Sequence, residues 1–358
     1  MHKLQDLKER AKAALTKFAP FGPDVNLEIF KKEADETKTY KDLDQFQEDE
    51  VKHILMAGID PSEQGRSGTY FQKDTGVIKC NVKQEGIEVI PIKEALEKYD
   101  WIYDYYWKVV SVDADKYTAA AELELQNGYV IRALKGAKSI YPVQACLYIG
   151  TDKLQQNVHN IIIAEEDSEL HIITGCTTSP HVKMGAHIGI SEFFVKKNAK
   201  LSFTMIHNWA EEMYVRPRSS AIVEENGLFL NNYICMKPVK TLQMYPTVHL
   251  TGEGAVARLY SIVVGSPGSE FDLGGRVYLK APKSRAEVVA RTISNGGNII
   301  ARGHLIGAVP EIKAHLECKG LILKGGMIRA IPELEGHVDG VEMSHEAAVG
   351  RIAQEEIL

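Results

Sequence analysis

Residues 161–173 read IIIAEEDSELHII: a β-branched run, a short acidic corner and a second apolar run. Such a stretch is a strand–turn–strand unit. The unit recurs as EFFVKKNAKLSFT at 192–204, AIVEENGLFL at 221–230 and VHLTGEGAVARLYSIVV at 248–264. It returns as VYLKAPKSRAEVV at 277–289 and HLIGAVPEIKAHLE at 304–317. Successive units stand roughly 28–31 residues apart, a period that suits stacked coils in which each rung buries its apolar face against the next. The corners carry Asn-Ala, Asn-Gly, Glu-Gly and Pro-Lys, residues that suit tight turns. A β-sandwich of short strands is the rival arrangement. The regular period favours a mainly β protein with a parallel β-helix core over residues 106–340.

Outward from that core the pattern changes. In residues 1–105, a helical and mixed region, Leu4, Leu7, Ala11, Ala14, Leu15 and Phe18 recur at helical spacing. Ala19-Pro20-Phe21-Gly22-Pro23 ends that helix. A second helical stretch carries Leu43, Phe46, Val51, Ile54 and Leu55 and stops near Gly58. At the other end, residues 341–358 read as a C-terminal helix. Ser344 stands as its N-cap, and Ala347, Ala348, Ile352, Ile357 and Leu358 as its packing residues.

The chain has 358 residues, 44% of them hydrophobic and 25% charged, which is enough for a large buried core. A net charge of −6 argues against broad nucleic-acid binding, which needs a basic face. No apolar run approaches the roughly 18 residues that span a bilayer, and the opening Met1-His2-Lys3-Leu4 has no signal core. The expectation is a cytoplasmic protein without a membrane partner. The five cysteines, Cys80, Cys146, Cys176, Cys235 and Cys318, are widely spaced and form no CxxC pair. They read neither as a disulfide framework nor as a preassembled four-cysteine metal site.

Motifs for common chemistry are few. There is no GxxxxGK[ST], so the chain is not itself a P-loop ATPase, and there is no GxSxG or HExxH. Gly252-Glu253-Gly254-Ala255-Val256-Ala257 fits GxGxxA, but strand-like sequence flanks it on both sides, so it reads as a corner. A β-helix with paired carboxylates could process glycans; Glu165, Glu166 and Asp167 sit in a turn and read as a solvated corner instead.

An ordered set of segments resembles the SufB/SufD family of iron–sulfur cluster scaffolds. It comprises Lys108-Val109-Val110, Asn127-Gly128-Tyr129-Val130, Lys135-Gly136-Ala137-Lys138 and Tyr141-Pro142-Val143-Gln144-Ala145. It continues through Thr174-Gly175-Cys176-Thr177, Asn198-Ala199-Lys200, His207-Asn208-Trp209, Gly252-Glu253-Gly254-Ala255 and Arg291-Thr292-Ile293-Ser294. It ends with Glu317-Cys318-Lys319 and Ser344-His345-Glu346-Ala347. The late cysteine and the His-Glu pair make it more similar to a compact, archaeal- or minimal-type SufB than to SufD.

The resemblance implies a right-handed β-helix and a complex with SufC, an ABC-type ATPase, docked on the C-terminal helical part. It implies a nascent iron–sulfur cluster at the seam between two scaffold subunits, with Cys318, His345 and Glu346 as ligands, and Cys176 as the acceptor of sulfur. Tyr148 and Gly150 replace a polar Arg and Asn of the family pattern, and His207 stands where Gln is common. A symmetric homodimer with two SufC chains is expected, a heterodimer with a SufD-like chain being the alternative. Apo iron–sulfur proteins would receive the product. The activity is that of a scaffold rather than an enzyme. The alternative is a SufD-like structural subunit that does not ligate the cluster. The chemistry agrees with the scaffold: thiolate binds iron firmly, while imidazole and carboxylate are replaceable ligands that let a product leave. Two subunits each giving Cys318 with His345 or Glu346 would complete a site without any CxxC. The flanking Glu317 and Lys319 suggest a polar setting for Cys318. Cys80, Cys146 and Cys235 read as structural. His159, His171, His181, His187, His249, His304, His315 and His337 read as turn or surface residues.

Overall fold

A computed structural model describes residues 2–35, 40, 42–237 and 239–351. The repeat forms a β-solenoid of about eight turns. One sheet stacks Val143–Ile149, Glu169–Thr178, Lys200–Asn208, Leu228–Cys235, Val256–Gly265, Arg285–Ser294, Ile312–Ile322 and Val341–Arg351 in parallel. The second sheet stacks Tyr129–Ala133, Gln155–Ala164, Met184–Val195, Arg218–Val223, Thr247–Leu250, Glu270–Leu279, Asn298–Gly307 and Met327–Gly336. Two short strands, Glu212–Val215 and Thr241–Met244, complete its middle rungs. Gln155 pairs with Ala186 and Arg285 with Lys313, offsets of 31 and 28 residues that reproduce the sequence period.

Each rung turns between sheets at a corner held in the left-handed region. Gly136, Asp167, Asn198, Asn226, Gly254, Lys283, Glu311 and Gly340, all with φ between 53° and 81°, follow one another at the rung interval. The amide of each corner residue donates to a carbonyl of the next corner: Asp167 to Lys197, Asn198 to Glu225, Asn226 to Glu253. Backbone groups that would be stranded at a turn are thereby satisfied from rung to rung. The Gly252–Gly254 corner is one of this series, as the strand-flanked sequence indicated. A Cβ on Gly252 would lie 1.9 Å from the Glu225 amide nitrogen, so that glycine lets two rungs approach.

Alternation along the strands sends one set of side chains inward. In the first sheet they form rows such as Ser261–Ala290–Cys318–Ala347 and Leu259–Val288–Leu316–His345, each residue in register with the next. Most of these positions belong to one continuous buried core.

The N-terminal region packs around the first rungs. Helix α1 (His2–Ala14) buries Ala11 and Ala14, but Leu15 and Phe18 lie beyond its end and are 46% and 69% exposed, outside the packed face expected for them. Helix α2 (Glu48–Met56) sits on the outside of the first sheet with Ile54 buried over Tyr148 and Cys146. Among the described residues between them, short 3₁₀ turns at Leu27–Ile29 and Leu43–Gln45 interrupt an extended strap. Strands before residue 106 join both sheets. Gly68–Lys73 pairs with Val143–Ile149, and Ile87–Pro91 with Tyr129–Ala133. Helices α3 (Ile92–Lys98) and α4 (Lys116–Leu123) follow, the latter capped by Asp115. Between them, the Glu192 carboxylate accepts from the amides of Trp107, Val109 and Val110 at 2.7, 2.7 and 3.1 Å, which anchors the aromatic run to the solenoid.

The C-terminus departs from expectation. Residues Val341–Arg351 form the last strand of the first sheet, not a helix, and Ser344 caps nothing. Ile352, Ile357 and Leu358 lie outside the described residues. The reason is the open end of the stack: Ile312–Ile322 offers a row of free backbone groups, and pairing with it outweighs the helix propensity of Glu346-Ala347-Ala348. Among the described residues no helix is long and apolar enough to cross a membrane.

Candidate functional site

Cys318 lies in strand Ile312–Ile322, on the inward face, between Ala290 and Ala347 in neighbouring rungs. It is 2% exposed. Burial pushes its thiol up to about 11, with the Arg291 guanidinium pulling the other way and Glu317 adding to the rise. The flanking charges do not surround the sulfur, as the sequence suggested. They stand on the outer face, where Arg291 bonds Glu317 at 2.8 Å and Lys319 reaches Glu346 at 3.2 Å. Alternation separates the charged residues from the thiol they flank.

His345 and Glu346 are on the last strand, which is paired on one side only and mostly exposed. His345 is in register with Leu316 and Glu346 with Glu317. His345 therefore shares the inward face with Cys318, one rung on and displaced by two residues. Glu346 points to the opposite face, toward Lys319. Among the described residues of the single chain, no three His, Cys, Asp or Glu side chains come together to hold a metal ion. The structure brings Cys318 and His345 to one edge and leaves Glu346 across the sheet.

Cys176 sits far from that edge, in strand Glu169–Thr178 among the early rungs, fully buried and in register with Leu147 and His207. Burial alone drives its thiol well above the ordinary value. Its surroundings hold polar groups that the sequence reading missed. The His207 Nδ1 is 2.8 Å from the Tyr233 hydroxyl, and His187 Nδ1 is 3.0 Å from Gln156 Oε1. The rings of His187 and Trp209 are 4.9 Å apart, and those of His207 and Trp209 5.7 Å. The His207 Nε2 and Trp209 Nε1 atoms are buried without a hydrogen-bond partner. Desolvation lowers both imidazoles, His187 to about 3 and His207 well below its usual range, so both are neutral at pH 7. A neutral, polar chamber thus adjoins Cys176 inside an otherwise apolar core, with Cys235 also fully buried in that core.

His187 and His159 are interior, not turn or surface residues; His159 bonds Glu192 at 2.8 Å. His304 is 7% exposed and bonds Glu335. The inward parity of Ile188's neighbours was the signal available in the sequence, but it holds only once the register of the strand is known. Cys146 packs outside the sheet beneath α2, and the Cys80 sulfur is 3.3 Å from the Val89 carbonyl, so neither faces the polar chamber.

A family profile described as "SUF system FeS cluster assembly, SufBD core domain" matches residues 147–358, more than half of the chain. The chain belongs to the SufBD family. An iron–sulfur cluster assembly SufBD family protein of Methanothermobacter thermautotrophicus is 46% identical over 362 residues, covering 99% of this chain and 88% of that protein. A SufBD family protein of Archaeoglobus fulgidus is 54% identical over 307 residues, covering 86% and 82%. One from Pyrococcus horikoshii is 31% identical over 317 residues, covering 86% and 71%. The SufBD core match spans every rung that carries Cys176, Cys318, His345 and Glu346.

Proposed function

We propose that this SufBD chain is a scaffold on which iron and sulfide are assembled into a cluster at the seam between two copies. The observation that carries the reading is the position of Cys318: one rung beneath an unpaired edge, on the face that also bears His345. A second subunit brought edge to edge about a two-fold axis would add its own Cys318 and His345 to the same seam. Four ligands, two firm thiolates and two replaceable imidazoles, then meet where a single chain offers two. Glu346 would join them by a change of side chain at the seam that releases it from Lys319. Its exposed ion pair is weak enough to give up, on the order of 0–1 kcal/mol.

The thiol of Cys318 must lose its proton to bind iron. The metal itself supplies that drive, because a bound cation stabilises the thiolate. An ABC-type ATPase of the SufC kind would open and close the seam by favouring one arrangement of it over the other. The docking patch expected at 341–358 lies on a strand for residues 341–351, so a helix there does not present it. Cys176 would receive a sulfane sulfur from a persulfide donor, its thiolate bonding the outer sulfur as the donor's S–S bond breaks and the donor leaves as a thiolate, and the neutral imidazoles and indole beside it would solvate that terminal sulfur. Transfer to apo iron–sulfur proteins completes the cycle in the cytoplasm.

The test is anaerobic copurification with the SufC-type ATPase, followed by loading with iron and sulfide. Visible absorbance that disappears in Cys318→Ala supports the scaffold. A colourless, iron-free complex after loading sinks it. A second reading, a SufD-like subunit that shapes the complex without ligating the cluster, is favoured by one observation: Glu346 faces away from Cys318. Under that reading Cys318→Ala and Glu346→Gln leave cluster content unchanged.

A further inference from the structure

Every buried cation beneath the N-terminal strap has its own carboxylate except one. Residues Phe21–Asp24 cross the outer face of the second sheet, where the Gly22 amide donates to Asp272 at 3.1 Å. A Cβ on Gly22 would lie 2.5 Å from Gln243 Cγ, so the strap rests directly on that strand. Under it, Lys116 pairs with Asp24 at 2.6 Å and Arg218 with Asp115 at 2.7 Å. Arg216 is 1% exposed and has no carboxylate within ion-pair distance among the described residues. Its Nη groups donate to the carbonyls of Val215 at 2.9 Å, Pro23 at 2.9 Å and Thr241 at 3.4 Å, and Tyr117 and the more distant Asp24 favour its charged form in part. The Tyr117 ring lies 5.6 Å from its guanidinium carbon and 5.1 Å from that of Arg218.

With the Arg302–Asp272 pair counted, four cations against three carboxylates leave one positive charge, that of Arg216, without an ion-pair partner. An unpaired buried charge is strongly unfavourable unless something compensates it. The same place also holds unpartnered donors. Arg216 Nε, Arg218 Nη2 and the Thr241 hydroxyl are all buried without a hydrogen-bond partner. The Gln243 amide oxygen is unpartnered beside them, and rotation of that amide would turn its N–H₂ the same way. Orphaned donors from two guanidinium groups, a hydroxyl and an amide make a site for an anion rather than a cation.

We infer that Arg216 and Arg218, with Thr241 and Gln243, bind a single small monovalent anion of the chloride class beneath the N-terminal strap, and so fasten the strap to the solenoid. The bound halide neutralises Arg216 and accepts the stranded N–H groups. Burial lowers the Arg216 guanidinium from its ordinary value, with the neighbouring Arg218 adding to the fall and Tyr117 and Asp24 opposing it.

The experiment uses the full chain. Crystals equilibrated with dilute bromide should show an anomalous peak within hydrogen-bonding distance of Arg216 Nε. In solution, replacing gluconate by chloride at constant ionic strength should raise the melting temperature by roughly 2 °C and saturate. Arg216→Gln should abolish that chloride-specific rise, while the exposed control Arg258→Gln keeps it. Equal melting in both salts, or water alone without bromide at Arg216, overturns the inference. If Arg216→Gln does not fold, the bromide map of the natural chain decides by itself.

Discussion

Cys318 is a residue whose burial sets its chemistry. In the lone chain its thiol is 2% exposed and pushed up to about 11. It is therefore protonated at pH 8, and we expect alkylation by iodoacetamide to be slow there and to quicken only as pH approaches that value. Peptide mapping of the labelled protein checks this; rapid labelling of Cys318 at pH 8 in apo protein would contradict the burial argument. The histidines beside Cys176 make the opposite kind of statement. Their folded values lie below the unfolded value of about 6.5, so their neutral forms favour the native state. That contribution is fully present above about pH 6.5 and is lost as pH falls below it, because the unfolded chain takes up the protons first. Between pH 7.5 and 5 the loss from His187 amounts to about 2 kcal/mol, and His207 acts in the same direction. Urea unfolding at pH 7.5 and 5 should show it, and His187→Gln should flatten the dependence. The polar chamber was not legible beforehand. His207 and Tyr233 are 26 residues apart, and only the coil brings them to 2.8 Å. Cys318 was legible as a residue but not in its setting, since neighbours in sequence point to opposite faces of a strand.

Among the elements, the corners carry the clearest relation between residue and shape. The strand–turn–strand period was plain because every internal rung must bury its inward face on both sides, which forces alternation. The left-handed ladder explains which corner residues are tolerated. Gly128 has φ 134°, and a Cβ there would lie 2.1 Å from the His159 carbonyl oxygen. Gly128→Ala should destabilise the chain by about 3 kcal/mol or more, because both strain and a backbone clash act together. Lys283 and Glu311 occupy the same left-handed conformation without being glycine, at φ 58° and 62°. Replacing either by glycine relieves roughly 1 kcal/mol of strain, partly offset by backbone entropy, so the result should be neutral to slightly stabilising. Denaturation midpoints of the three variants check the contrast. A Gly128→Ala protein as stable as the natural one would show that the first rung relaxes freely. The last strand was the element misread, and for a physical reason. Among the described residues no further rung covers Val341–Arg351, and beyond Val341 and Met343 its inward positions hold His345 and Ala347 rather than large apolar residues, so the period of two fades.

On the scale of the whole molecule, that fading marks where the solenoid is unfinished. At one end the hairpin of Gly68–Lys73 and Gly76–Val82, the strand Ile87–Pro91 and the helices close the stack. At the other, Val341–Arg351 and Met327–Gly336 each have a neighbour on one side only, and Val349, Val338 and Met327 are exposed. An open edge with apolar side chains is a template for further pairing, which natural proteins either block or use. Among the described residues the edge strand carries Ala347, Ala348, Val349 and Gly350 in a row, which leaves that stretch without charge. Ala348→Lys together with Gly350→Lys, on the outward face of the edge strand, would set like charges against each other across a two-fold seam while leaving the inward row of Cys318 and His345 untouched. We expect the doubly substituted chain to keep its far-ultraviolet dichroism and melting behaviour but to shift from dimer to monomer by light scattering. Loaded anaerobically, it should fail to hold iron although Cys318, His345 and Glu346 are intact, because a monomer presents only half of the ligand set. Dimers that survive both lysines, or a monomer that binds iron as well as the natural chain, would move the assembly site away from this edge.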